Sequence, residues 1–387
     1  MSSYIFDVET DGFLDVVSKV HCIVLKDVDT NTMIHLPVKE AVAKLEKADL
    51  IIGHNIIKYD IPVLQKLYGF DFKNKILDTI VATRLLFPDV KEKDFQRKDF
   101  PRDCIGRHSL KAWGNRIGNY KAQFETDWKT YSPEMLDYCT QDVEVTYNLW
   151  KMIEQKGYSQ QAMDLEHEVS LLIFKQESYG FSFDTDGAKQ LYSKLQSRRL
   201  ELEDELQNLF PPKTLKTPFI PKVNNKARGY VKGETFYKEK IVTFNPSSRH
   251  HIADRLSEMH GWKPTVFNDD GKPKLDETTL SALPYPEAKT LCEHFLLDKR
   301  IGQLATGAQA WLKHEKKNKI HGTCNTNSTV TARATHSYPN MAQIPSVSVQ
   351  YGKECRALFT VPAGKKLVGI DVSGLEVRML AHYMARY

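Results

Sequence analysis

The stretch Ser3-Tyr4-Ile5-Phe6-Asp7-Val8-Glu9-Thr10, closed by Asp11-Gly12, decides the fold of the amino-terminal part. It alternates and then meets a turn pair, the signature of a strand. Working outward, residues 20–26 and 33–36 predict further strands of a meander, and 39–47 a short amphipathic helix. Leu50-Ile51-Ile52-Gly53 predicts a buried strand and 61–67 a helix around Pro62. Strands followed by alternating helices give a mixed α/β sheet for residues 1–155.

On that first strand Asp7 and Glu9 lie two apart, so both carboxylates point to one face. Asp60 ends Asn55-Ile56-Ile57-Lys58-Tyr59-Asp60, just after the buried strand. Tyr138 and Asp142 lie four apart on a predicted helix that starts at Ser132-Pro133, so they share a face. Four converging carboxylates repel one another unless cations neutralise them. Hard oxygen ligands, with no Cys expected nearby, point to magnesium or manganese. Two such ions about 3.5–4 Å apart clamp the attacking and leaving oxygens of a phosphodiester, and Tyr138 could orient the attacking water. Singly each piece is weak, since an Asp-x-Glu on a strand is usually a solvated face. Asp78 reads as a helix N-cap or local turn and Trp113 as a core residue. His54 is equally a substrate contact or a satisfied structural histidine, and His108 receives no role.

In order and combination these motifs resemble the DEDD family of 3′–5′ exonucleases, in its tyrosine-bearing branch. The resemblance implies a ribonuclease-H-like fold with two Mg2+ (or Mn2+) ions. Asp7, Glu9 and Asp142 would be direct metal ligands, Asp60 a ligand acting mainly through water, and Asn55 a substrate contact.

The whole chain has 387 residues, 41% hydrophobic and 27% charged, an ordinary globular mix. Nothing approaches about 18 uncharged apolar residues, so no membrane span is expected. The first residues read as no signal peptide. The net charge of +5 is uneven: residues 1–150 sum to −3 and residues 151–387 to +8, as suits a back half that meets phosphates. Six scattered cysteines argue against a zinc site or disulfide framework. From 160 to 208 two long helical patterns flank Gly180. Residues 211–244 show little periodicity and read as a loop or small subdomain. Helical patterns resume at 247–260 and 286–313, residues 319–335 look strand-like, and 366–370 predict an apolar strand ending at Asp371. Residues 381–387 read as the middle of a helix.

Three segments of this back half carry a second resemblance. They are Thr331-Ala332-Arg333-Ala334-Thr335, then Pro339-Asn340-Met341-Ala342-Gln343-Ile344-Pro345, then Asp371-Val372-Ser373-Gly374-Leu375-Glu376-Val377-Arg378. Together they are similar to the palm of a family A DNA polymerase, and with the nuclease motifs in front to replicative polymerases of podovirus-type phages. The resemblance implies an exonuclease domain at 1–155, a linker and mainly helical thumb at 156–315, and an incomplete α+β palm at 316–387. It implies Asp371 as a metal-binding catalytic aspartate. It gives Arg333, Asn340 and Gln343 to the primer–template minor groove, and places Glu376 and Arg378 at the incoming nucleotide. The chain stops after the first palm motif, so the expectation is either a split polymerase completed by a carboxy-terminal partner polypeptide or a truncated reading frame, with deoxynucleotides bound only in the completed enzyme. The basic segment 211–244 occupies the thumb tip. It is shorter than a thioredoxin-binding insertion, which leaves host thioredoxin in doubt. The expected partner is DNA, both single-stranded 3′ ends and primer–template, in the cytoplasm of an infected bacterial host. A free-standing exonuclease, or a non-catalytic DNA-binding module, stays open as an alternative.

Overall fold

A computed structural model describes residues 2–120, 127–268, 271 and 273–385. They form two compact units. One comprises Met1–Gly180 with His321–Ala342, the other Phe181–Ile320 with Gln343–Tyr387.

The first unit opens with β1 (Ser3–Thr10), β2 (Val20–Asp27) and β3 (Met33–His35), then α1 (Val38–Glu46), β4 (Leu50–Gly53), α2 (Asp60–Tyr68), β5 (Lys75–Asp78) and α3 (Thr79–Leu86). It continues with α4 (Val90–Phe95), α5 (Leu110–Ile117), α6 (Pro133–Gln155) and α7 (Gln160–Tyr179). The sheet runs β3-β2-β1-β4-β5, antiparallel on the β3 side and parallel on the β5 side. It is mixed α/β, as the alternation of strand and helix patterns predicts.

The pleat sorts β1 into two faces. Tyr4, Phe6 and Val8 join Leu45 of α1 and Leu64 of α2 in one core cluster. Ile5 joins Ile52 of β4 and Met135, Cys139 and Val143 of α6 in another. Asp7 and Glu9 share the face of Ile5, so the period of two that builds the core also aims both carboxylates toward α6. Helix α6 begins where Ser132 accepts the Met135 N–H, with Pro133 in the first turn. Pro62 falls in the first turn of α2, where its missing N–H has no intrahelical partner to lose.

The second unit begins with β6 (Phe181–Phe183), reached through Gly180 at φ +69°, which breaks the helical run as expected. Next come α8 (Thr185–Leu209), β7 (Lys213–Phe219), β8 (Phe236–Val242), α9 (Arg249–His260), α10 (Glu277–Ser281), α11 (Pro286–Ile301), α12 (Trp311–His314), β9 (Glu315–Lys316) and β10 (Lys319–Ile320). The chain then returns to the first unit for the antiparallel pair β11 (Thr323–Asn325) and β12 (Thr335–Ser337). In the second unit it ends with α13 (Gly352–Ala357), β13 (Phe359–Thr360) and α14 (Leu375–Met384). Helices α8 and α11 pack lengthwise, and the Arg198 guanidinium forks onto the Glu293 carboxylate at 2.9 and 3.1 Å. Beneath them Leu206, Phe210, Phe244, Leu256 and Leu291 form a buried cluster.

Residues 211–244, which the sequence leaves open between a loop and a small subdomain, form a hairpin: β7 and β8 pair in register from Lys213↔Val242 to Phe219↔Phe236. Lys and Thr on solvent-facing positions, with Pro218, hide the alternation, while Phe219, Tyr230 and Phe236 cluster at the tip. The helical pattern at 286–313 is interrupted by a π-helical turn, Gly302–Thr306. Residues 366–370 form no strand, and Ile370 is 90% exposed. An apolar run makes a strand only when a neighbour takes its N–H and C=O groups, and these have no sheet partner among the described residues. The helix predicted across 381–387 ends at Met384, and residues 386–387 lie outside the described residues.

Amide hydrogen exchange separates these cases. The paired amides of β7 and β8 should be protected, whereas those of residues 366–372 should exchange at the rate of open chain. Equal rates in the two segments would contradict the hairpin.

Candidate functional site

The pleat of β1 and the register of α6 bring Asp7, Glu9 and Cys139 together, with one ligand atom from each lying within 4.8 Å of the others. The Cys139 thiol lies 3.7 Å from Asp7 Oδ2 and 3.5 Å from the Asp7 carbonyl oxygen, and donates toward them. Burial, then its hydrogen bond with Cys22 and the Asp7 charge, pushes this thiol well above its ordinary pKa. It stays a neutral donor and not a thiolate ligand. This contact fixes α6 on β1. Asp142 lies three residues on and Tyr138 one residue before, within the same helical turn. Asp142 is 2% exposed and Glu9 7%, while Asp7 is half-buried. Tyr138 stands edge-on to Trp128 at 5.8 Å between ring centres.

Asp60 arrives from the other side of β1. Pairing of β4 with β1 ends at Ile5↔Ile52, which leaves the Val8 N–H to donate to the Asp60 carboxyl. Asp60 is 3% exposed. Burial, then the nearby Asp7 charge, raises its pKa well above the ordinary carboxylate value. The residue before it, Tyr59, donates its hydroxyl hydrogen to the Gly12 carbonyl at 2.7 Å and shares a short hydrogen bond with Thr10 Oγ1. The start of α2 is thereby tied to the end of β1.

Asp78 holds the remaining loop. It caps α3 by accepting the Ile80 N–H at 3.0 Å, the cap that the sequence predicts. It also accepts the N–H groups of Asn55 at 2.7 Å and Ile57 at 3.0 Å. Asn55 sits at φ +67°, a conformation that Asn tolerates better than most residues. The Asp78 N–H donates to His167 Nε2 at 2.8 Å, and His167 Nδ1 donates to the Met163 carbonyl at 2.7 Å. Burial raises the Asp78 pKa, opposed by the three backbone donors. His54 Nδ1 lies 2.8 Å from Thr79 Oγ1, and Trp113 is buried in the core.

Sequence patterns find Asp7, Glu9, Asp60, Tyr138 and Asp142. They miss Cys139, Tyr59 and the clamp made by Asp78. A lone Cys beside Tyr138 carries no periodic signal, and the clamp joins residues 21 and 23 positions apart.

The other sequence-predicted residues do not gather in one unit. Arg333 and Asn340 belong to the first; Gln343, Asp371, Glu376 and Arg378 belong to the second. The Arg333 N–H donates to Thr329 Oγ1 at 2.9 Å, and Asn340 Oδ1 accepts the Ala342 N–H at 3.0 Å, so both lie in hydrogen-bonded turns. The Gln343 carbonyl accepts from Gln303 at 3.2 Å. Glu376 lies in the first turn of α14, as expected, and Arg378 Nε donates to the Ser373 carbonyl at 2.8 Å. Asp371 does not project from a sheet end, as its sequence context predicts. With no strand at 366–370, it is instead an exposed residue outside regular secondary structure.

A family model described as DNA polymerase family A matches residues 223–386. The DNA-directed DNA polymerase of Escherichia phage T7 is 34% identical over 488 aligned positions, covering 98% of this chain and 69% of the relative. That of Enterobacteria phage T3 is 35% identical over 489, with the same coverage. An alignment of 488 positions against a chain of 387 means that the relative carries segments with no counterpart here. Among solved structures, the POL domain of Pol1 from M. smegmatis in complex with DNA primer-template and dNTP superposes with a TM-score of 0.65 at 15% identity. That match covers 97% of this chain and 59% of the other.

The clamp makes a stability prediction. Asp78→Ala orphans three backbone donors, at about 1–3 kcal/mol for each buried one. Urea unfolding should show a loss of about 2–4 kcal/mol, with Asp78→Asn losing less because its amide oxygen still accepts. An Ala variant as stable as the parent would contradict the clamp.

Proposed function

Because the chain belongs to DNA polymerase family A, with phage DNA-directed DNA polymerases among its relatives, we propose that it acts in DNA replication. We further propose that its first unit is a proofreading 3′–5′ exonuclease. One observation carries the nuclease reading: Asp7 and Glu9 bring carboxylate oxygens within 4.8 Å on one face of β1, and buried Asp60 lies close enough for the Asp7 charge to raise its pKa, with buried Asp142 one helical turn from Tyr138 on α6. The sheet order β3-β2-β1-β4-β5 agrees with a ribonuclease-H-like nuclease.

The donor set fits magnesium or manganese. The acidic groups are hard oxygen ligands, and the sulfur in their cluster, Cys139, is a thiol whose burial keeps its proton. Asp7, Glu9 and Asp142 would hold the ions directly, with Asp60 behind them. Two bound ions supply Lewis-acid polarisation of the phosphodiester and a hydroxide at neutral pH. The chain's own groups do the rest. The Tyr138 hydroxyl accepts and donates a hydrogen bond and orients a water. The Cys139 thiol keeps the Asp7 carboxylate turned toward Glu9. The ties from Tyr59 and Asp78 hold Asp60 in place without spending its oxygens on mobile partners.

Nucleotide addition would draw on Arg333, Asn340, Gln343, Asp371, Glu376 and Arg378. Val368, Ile370, Val377, Leu380 and Tyr383 are exposed around Asp371. We infer that this apolar surface is covered by further polypeptide in the polymerising enzyme, and that deoxynucleotides bind only there.

Two measurements test the nuclease. With magnesium, the full chain should shorten a 3′-unprotected single strand, and Asp7→Ala with Glu9→Ala should slow this by at least about a thousandfold, while Tyr138→Phe costs about 10–100-fold. Unchanged cleavage in the double variant would refute the site. The second is pH-linked. Asp60 has a raised folded pKa, so its stabilising contribution is present at acid pH and lost as pH rises through that raised value. Magnesium should therefore raise the melting temperature more at pH 8 than at pH 5. A shift independent of pH, or one retained by Asp7→Ala with Glu9→Ala, would count against it.

A further inference from the structure

Within the first unit a cleft of about 570 Å³ opens between α3, the segment Gly106–Ser109 and the turn Asn327–Val330. Arg84, Lys91 and Arg107 line it together with His108, and no carboxylate is among the lining residues. Arg84 is half-buried on α3, and among the described residues its guanidinium makes no hydrogen bond or ion pair. Burial alone pulls its pKa below the ordinary value, only partly offset by the more distant Asp78 and Glu177 charges. A partly buried, unpaired guanidinium is costly, and an anion relieves the cost. Nδ1 of His108 is likewise buried with no hydrogen-bond partner among the described residues. Burial and the Arg84 and Arg116 charges hold its pKa down to about 3, so it faces the cleft as a neutral imidazole. Ser109, Ser328 and Thr329 add hydroxyls.

We propose that this cleft binds the phosphodiester backbone of a DNA strand, with Arg84 as the deep contact and Lys91 and Arg107 as contacts at the rim. The chemistry favours a strand over a single nucleotide. The cations are spread from the depth of the cleft to its exposed edge, as successive phosphates require, and no Phe, Tyr or Trp lines it to stack a base. The fork of Arg84 suits two phosphate oxygens at once. The site uses none of the carboxylates on β1 and α6, so it goes beyond the nuclease reading and stands or falls separately from it.

The test is binding of a fluorescent oligothymidylate to the full chain in EDTA, followed by anisotropy across a potassium chloride series. Lys91→Ser with Arg107→Ser alters only side chains at the rim, and Arg84→Met keeps the aliphatic stem. Each should weaken binding about tenfold and flatten the slope of log affinity against log salt by about 0.7 for every phosphate left without its cation. Wild-type affinity and slope in both variants would overturn the proposal. Displacement of the strand by equimolar dTMP would assign the cleft to a free nucleotide and overturn it too. Weakened binding in Asp7→Ala with Glu9→Ala, with both cleft variants at parental affinity, would place the strand on the carboxylates and not in the cleft.

Discussion

Burying carboxylates beside one another is the constraint on which the first unit turns. Asp60 is almost fully enclosed, with the charge of Asp7 beside it, and either protons or cations must balance the cluster. Such an arrangement persists only if the surrounding structure holds it against repulsion. Three devices do so. The pleat of β1 aims Asp7 and Glu9 at α6. The Cys139 thiol locks α6 to Asp7. The Asp78 carboxyl draws in three backbone N–H groups of the loop and helix beside Asp60. Each device is a packed face or a hydrogen bond at least partly shielded from water, which strengthens it.

Much of this was legible in the sequence because it rests on periodicity. Two residues apart on a strand, and four apart on a helix with Ser132 and Pro133 at its start, place side chains on predictable faces. The mixed sheet follows from the same alternation. What stays hidden depends on partners distant in the chain. Nothing local marks Cys139 as the neighbour of Asp7, 132 residues away. Asp78 is readable as a cap, yet its grip on Asn55 and Ile57 arises only once β4 and β5 pair. In the second unit the reverse error occurs. Leu367, Val368 and Ile370 look like a strand, but apolar composition does not supply a neighbour. At 213–242 the neighbour exists and the composition disguises it.

The two resemblances fare differently against the geometry. The residues of the first resemblance all lie in one unit, with Asp7 and Glu9 on one face of β1 and Asp60 close to Asp7. The polymerase residues are divided between two units, several of them engaged in local turns, and Asp371 is exposed in a segment of exposed apolar side chains. The cleft at Arg84 adds a positive surface to a unit whose carboxylate cluster is negative, and a strand approaching that cluster would need such a counterweight.

Counting Mn2+ bound to the full chain by electron paramagnetic resonance tests the central claim most directly, because it asks whether the carboxylates are a cation site at all. The account predicts two ions bound per wild-type chain at neutral pH, and loss of both from Asp7→Asn with Glu9→Gln in a chain that remains folded. Equal binding by wild type and variant, or none by either, would contradict it.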